Sequence, residues 1–238
     1  MEGRDQGLGI RGWGFGRLVG LGILLGIHSA ALQGTPPTSE TKASPGITVR
    51  IYDYAGVSSG EMRRAEEEAS RILRAAGVEI EWVDCPTSPA EAHNYPACEP
   101  PLGAVAVDLR ILPPSMAARV RSSREQLGFA LPSTKAGSAS AAWVFFQRVE
   151  HLAESKDADQ AQILGHAMAH EIGHVLLGPD RHSEKGIMRA NWGRAVLQEA
   201  ARGQLLFTPA QAELIKAEVR SRVEQAGTAQ VSAHGSPR

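Results

Sequence analysis

Residues 170–188 read HEIGHVLLGPDRHSEKGIM, and the spacing within this stretch decides how the rest of the chain is read. Leading into it, Ala161, Leu164, Met168, Ile172 and Val175 recur every three or four residues, the period of a helix with one buried face. The pattern predicts a long helix capped at Asp157 and ending near Leu177, where Gly178-Pro179 breaks it. At about 100° per residue, His170 and His174 leave that helix one turn apart on nearly the same face, well away from the apolar stripe. Two imidazoles so placed can take two corners of a zinc tetrahedron. Glu171 is rotated by one residue step. From there a carboxylate reaches a water polarised by the metal, without ligating the metal, and can take its proton as it attacks a carbonyl. A third histidine, His182, follows the helix end, and Gly186-Ile187-Met188 comes soon after.

Upstream of the helix, AAWVFF (Ala141–Phe146) reads as a short apolar strand entered through a Gly/Ser-rich loop, Ser133–Ser140. Nearer the N-terminus, Ile47, Val49 and Ile51 alternate with Thr48, Arg50 and Tyr52, the period of a half-buried strand. Ser58 and Glu61 form a candidate capping box for a second helix, whose face is Met62, Ala65, Ala69, Ile72, Leu73 and Ala76. Gly77 suits its stop. Val78, Ile80 and Trp82 predict a second strand; Val105, Val107, Leu109 and Ile111 predict a third. Strand, helix, strand, strand makes a mixed α/β layer. Downstream, Thr208-Pro209 opens a last helix with Leu214, Val219 and Val223 on its apolar face. The tail, residues 226–238, is small and polar and is expected to be disordered.

Farther out, Arg4, Arg11 and Arg17 precede an apolar run, Leu18–Ile27, and then Ser29-Ala30-Ala31. Positive flank, apolar core and small residues at a cut site predict a signal peptide over residues 1–31. The run is shorter than the roughly 20 apolar residues that span a bilayer, so no stable membrane insertion is expected once it is removed. The mature chain is expected outside the cytoplasm, in the periplasm, on the cell surface or in the medium. Residues 32–45, rich in Thr, Ser and Pro, read as a linker. Cys85 and Cys98 are the only cysteines, and in an oxidising compartment they are expected to pair. A formal net charge of −1 with no stripe of Lys and Arg argues against nucleic acid as a partner. Nothing in the sequence assigns an oligomeric state.

The stretch 170–188 resembles the zinc-binding consensus of the metzincins, closed by a Met-turn. In that resemblance His170 and His174 match the first two ligands, Glu171 the base, Gly178 the glycine that ends the helix and Met188 the turn methionine. Leu127–Pro132 is similar to the rim above the substrate-binding strand in the matrixin-like members. The spacing departs from the family pattern: Gly178 comes one residue late and His182 two late, while Asp180 holds the expected third-ligand position. His182 is the preferred third ligand, because imidazole is the more usual choice and His182-Ser183 repeats a matrixin-like pair. Asp180 stays open as a ligand, as does a distant glutamate such as Glu199 or Glu213.

The resemblance implies an α+β, metzincin-like zincin domain over residues 46–225, with a twisted mixed sheet, two long helices and a small C-terminal lobe. It implies a Zn2+ cofactor and a peptide or protein substrate lying along an edge strand near Ala141–Phe146. The implied reaction is endopeptidase hydrolysis with Glu171 as general base and no covalent intermediate. The alternative is a non-catalytic zinc-binding or interaction protein on the same scaffold, which has less need of Glu171. His93 and His151 have no partners at ligand spacing and are expected on the surface. His166, one turn before His170, could support a ligand, and Trp192 is expected to pack the C-terminal lobe, with a place lining the pocket beyond the scissile bond as the alternative.

Overall fold

A computed structural model describes residues 44–88, 90–99, 105–120, 122–123, 125–131, 140–178 and 181–234. The segments expected to be signal peptide and, for the most part, linker, most of the Ser133–Ser140 loop, Pro179, Asp180 and the last four residues of the chain lie outside the described residues.

Alternation of apolar and polar residues builds β1 (Gly46–Asp53) where expected, with Ile47, Val49 and Ile51 buried. Ser58 then caps α1 (Ser59–Ala75) by accepting the Glu61 N–H at 3.3 Å. Only half of the capping box forms, since Glu61 Oε1 is buried without a hydrogen-bond partner. The helix ends as its glycine predicts. Gly77 sits at φ +79°, and the N–H groups of Gly77 and Val78 donate back to the carbonyls of Arg74 and Leu73 at 2.9 and 3.1 Å. β2 (Glu79–Cys85) and β3 (Ala106–Leu112) follow. Between them Cys85 and Cys98 form a disulfide, S–S 1.99 Å, that closes the Pro-rich loop. A short helix α2 (Pro114–Ala117), β4 (Gly128–Leu131) and β5 (Ser140–Phe145) complete this half of the chain.

The helices then run α3 (Phe146–Lys156), α4 (Gln160–Leu177), α5 (Arg194–Ala201) and α6 (Pro209–His234). The fold is α+β. Its five-stranded mixed sheet has the order β2-β1-β3-β5-β4, with β4 antiparallel to β5 and every other pair parallel. Val49, Ile51, Leu109, Ile111 and Val144 of the sheet share one core with Ile72 and Leu73 of α1 and Leu164, Met168 and Ile172 of α4. That packing holds α4, and everything it carries, against the sheet.

Three expectations are corrected. Ala141–Phe146 is not an edge strand: β5 lies between β3 and β4, and the edge belongs to β4. Its composition fits the interior position, because Ala142, Val144 and Phe145 are fully buried and apolar residues fall on both faces. Next, α3 intervenes where no helix was expected, and Asp157 is its left-handed C-cap (φ 53°), not the N-cap of α4. The cap is Asp159, which accepts the Gln162 N–H at 2.8 Å. Finally, α6 continues to His234, through most of the segment expected to be a disordered tail. Its Ala, Gln and Glu residues are good helix formers, and no proline interrupts it.

Candidate metal centre

α4 is buried along almost its whole length, so the polar residues within it need partners. His170 is 8% exposed and Glu171 4%. The His170 Nδ1 lies 2.8 Å from the Ile187 carbonyl oxygen. A carbonyl only accepts, so Nδ1 carries the ring proton and Nε2 presents a bare lone pair. That lone pair faces His174 Nε2 at 3.1 Å, and His174 Nε2 faces His182 Nε2 at 3.2 Å. Ligand atoms of the three rings all lie within 4.8 Å of one another, and they are the only such group of His, Cys, Asp or Glu among the described residues. One proton on His174 Nε2 can satisfy only one of its two nitrogen neighbours. A cation at the centre of the three satisfies all of them. Burial, reinforced by the nearby charge of His174, holds the His170 pKa down to about 3, so its lone pair is available at ordinary pH.

The segment after α4 is folded so that it delivers both His182 and the Ile187 carbonyl. Ser183 N–H donates to the Met188 carbonyl at 2.9 Å, and Ile187 N–H donates to Leu206 at 2.8 Å, which pins a turn under the helix. Gln211 of α6 donates to Ser183 Oγ at 3.0 Å and anchors the residue beside His182. Met188 is fully buried. A Cβ on Gly173 would lie 2.8 Å from Met188 Sδ and 2.7 Å from Phe207, so only glycine lets the turn and the C-terminal segment come this close to α4.

Glu171 lines a cavity of about 1090 Å³ that it shares with the three histidines. Its Oε2 has no hydrogen-bond partner, and burial pushes its pKa up to about 8. A divalent cation at the histidines would oppose that shift. The edge strand packs directly on it: a Cβ on Gly128 would lie 2.7 Å from Glu171 Oε1 and 2.2 Å from the Trp143 carbonyl oxygen. Leu127–Ala130 form one wall of the cavity and α3 supplies another.

Of the other ligands considered, Glu199 is held by two hydrogen bonds from Arg189 at 3.0 and 3.1 Å, and Glu213 pairs with Lys216 at 3.0 Å. Asp180 lies outside the described residues. His166 is fully buried and is not one of the group; its Nδ1 is 2.9 Å from the Gln162 carbonyl and its Nε2 3.5 Å from Glu68 Oε1. Trp192 does more than pack the C-terminal lobe. Its ring stands edge-on to His170, centroids 5.7 Å apart, and lines the cavity, with Nε1–H donating to the Arg189 carbonyl. His93 is exposed, as expected. His151 is also exposed, but it belongs to the cavity wall. Arg148 lines the same wall, and no spacing in the sequence marks it, because its partners lie more than twenty residues upstream.

No protein-family model matches the sequence, and no curated protein matches it either. The chemical reading of the site rests on its own geometry.

Proposed function

We propose that the protein is an exported zinc endopeptidase of the metzincin type, with zinc held by His170, His174 and His182. The observation that carries this reading is the convergence of three imidazole nitrogens, at 3.1 and 3.2 Å, in a cavity also lined by a buried carboxylate with an unpartnered oxygen. Zinc–nitrogen bonds of about 2.0–2.1 Å set the edges of a tetrahedron at about 3.3 Å, and the His170–His174 and His174–His182 spacings match two of those edges. Three protein ligands leave a fourth position open, which is the pattern of catalytic and not structural zinc.

When bound, zinc would supply Lewis acidity, polarising the scissile carbonyl and lowering the pKa of a water at the open position. Glu171 provides the proton acceptor. Its free Oε2 takes a proton from the attacking water and returns it to the departing amine. Burial keeps the His170 imidazole neutral, and the Ile187 carbonyl holds its Nδ1–H so that Nε2 faces the other two histidines. Because β4 pairs only with β5 among the described residues, its outer edge offers main-chain groups to an extended peptide, and Gly128 sets that edge against Glu171. This replaces β5 as the strand along which substrate is expected to lie. Export is supported by the Cys85–Cys98 disulfide, which belongs to oxidising compartments. Among the described residues no helix is long and apolar enough to cross a membrane.

The test is digestion of a mixed peptide library by the full chain, with cleavage read by mass spectrometry before chelation, after chelation and after zinc is restored. The reading expects internal cleavages that vanish with the metal and return with it, and that His182→Ala fails to recover. Cleavage indifferent to chelation would overturn it. Tight zinc binding without cleavage of any peptide would favour the non-catalytic zinc-binding module.

A further inference from the structure

Metal ligation and proton transfer do not require α3, yet this helix forms a wall of the cavity and sorts its charges there. Arg148, His151, Ser155 and Lys156 line the cavity, whereas Glu150 and Glu154 of the same helix do not. The spacings of three and four residues between Arg148, His151 and Ser155 put them on one face.

Arg148 is fixed in place. Its Nη1 donates to the carbonyls of Ser123 and Gln126 at 2.6 and 2.7 Å, and its Nη2 donates to Ser122 Oγ at 3.0 Å. The guanidinium carbon lies 4.1 Å from the centre of the Phe145 ring. All of these partners are neutral, so the wall carries a positive charge that no carboxylate pairs with among the described residues; burial pushes the Arg148 pKa down. His151 and Lys156 are both exposed, and neither is held by a carboxylate among the described residues. Arg189, the other arginine lining the cavity, is neutralised by Glu199. The carboxylates lining it are Glu171, already assigned to proton transfer, and Glu125, which is exposed on the loop before β4.

We infer that the α3 wall is a subsite for a carboxylate of the bound peptide, with Arg148 as a fixed charge and His151 and Lys156 as movable donors. The inference rests on the peptide-hydrolase reading and names its substrate class: peptides with an acidic group at one register near the scissile bond. A cleft wall of one charge sign, bounded by low-dielectric protein, concentrates ligands of the opposite sign.

The test uses amidated peptides that differ only in Glu against Gln, scanned along the sequence, and a neutral peptide with a free C-terminus. Binding to the zinc-loaded Glu171→Gln full chain is read by fluorescence anisotropy, and kcat/KM is read on the zinc-loaded wild type. At one register the Glu peptide is expected to bind about fivefold more tightly than its Gln partner. The advantage shrinks as salt rises, because the groups are partly solvated. The variant combining His151→Glu with Lys156→Glu, both at exposed positions, reverses the preference. A gain confined to the free C-terminus would keep the subsite and make its ligand the terminal carboxylate. Equal binding of all three peptides, with hydrolysis intact, would overturn the subsite alone. Neither binding nor hydrolysis of any peptide would remove the peptide reading and the subsite with it.

Discussion

Replacing Glu171 by Gln will stabilise the metal-free protein in alkaline solution while removing the proposed base. The carboxyl group is 4% exposed with one oxygen unpartnered, and burial raises its pKa from 4.5 to about 8. A raised folded-state pKa means that the folded protein keeps a proton the unfolded chain has already lost. Stability from this group is therefore fully present below pH 4.5, declines as pH rises towards about 8, and is flat beyond. At about 1.4 kcal/mol for each pH unit between the two values, the ceiling is about 5 kcal/mol. Water entry and local relaxation lower the effective cost, and about 2 kcal/mol is the working figure. Glutamine is neutral and nearly isosteric, so it escapes this penalty. Urea unfolding with a chelator present is the assay. The Glu171→Gln variant and the wild type are expected to match at pH 4 and to differ by about 2 kcal/mol at pH 9, or by about 4–8 °C in melting temperature. Added zinc narrows the gap, since a cation at the histidines favours ionised Glu171. Parallel stability curves across this range would refute the claim that the carboxylate is desolvated.

Gly128→Ala places a methyl group 2.2 Å from the Trp143 carbonyl oxygen and 2.7 Å from Glu171 Oε1, which pushes the edge strand off β5. A loss of about 1–3 kcal/mol in thermal unfolding is expected, with turnover falling while zinc is retained; unchanged stability and turnover would contradict the packing. Joint Cys85→Ser and Cys98→Ser substitution opens a loop with a sequence separation of 13 and is expected to cost about 3 kcal/mol in urea unfolding. Asp159→Ala removes the cap of α4 and is expected to cost about 1 kcal/mol. Asp157→Gly, at a left-handed position, is expected to leave thermal stability unchanged or higher, and the reverse ranking would restore Asp157 as the cap.

Where one period dominates, local sequence and fold agree. β1, α1, β2 and β3 follow from alternation and helical spacing, and Gly77 marks a true stop. His170 and His174 could be paired from their spacing alone. Their meeting with His182 depends on a turn pinned by Leu206, Met188 and Gln211, contacts that no local pattern encodes. α3 was hidden because it starts directly after β5 with no side-chain cap, and only Val149 and Ala153 are buried along it. Two aspartates two residues apart offered the same capping chemistry, and only the backbone sign at Asp157 separates their roles. The interior place of β5 is legible in its composition, since a strand apolar on both faces belongs inside a sheet, whereas nothing in the short run of β4 marks it as the edge. The place of Trp192 after the Gly186–Met188 turn marks it as a pocket residue or a packing one, and the fold gives it the pocket; the α3 wall is visible only in the folded chain, since it reaches the cavity from a separate element.

The central claim is tested most directly by measuring peptide hydrolysis by wild type and Glu171→Gln, with zinc counted in the same samples. The account predicts one zinc per chain in both proteins and hydrolysis only in the wild type. Equal hydrolysis by the two proteins, or no zinc in either, would contradict it.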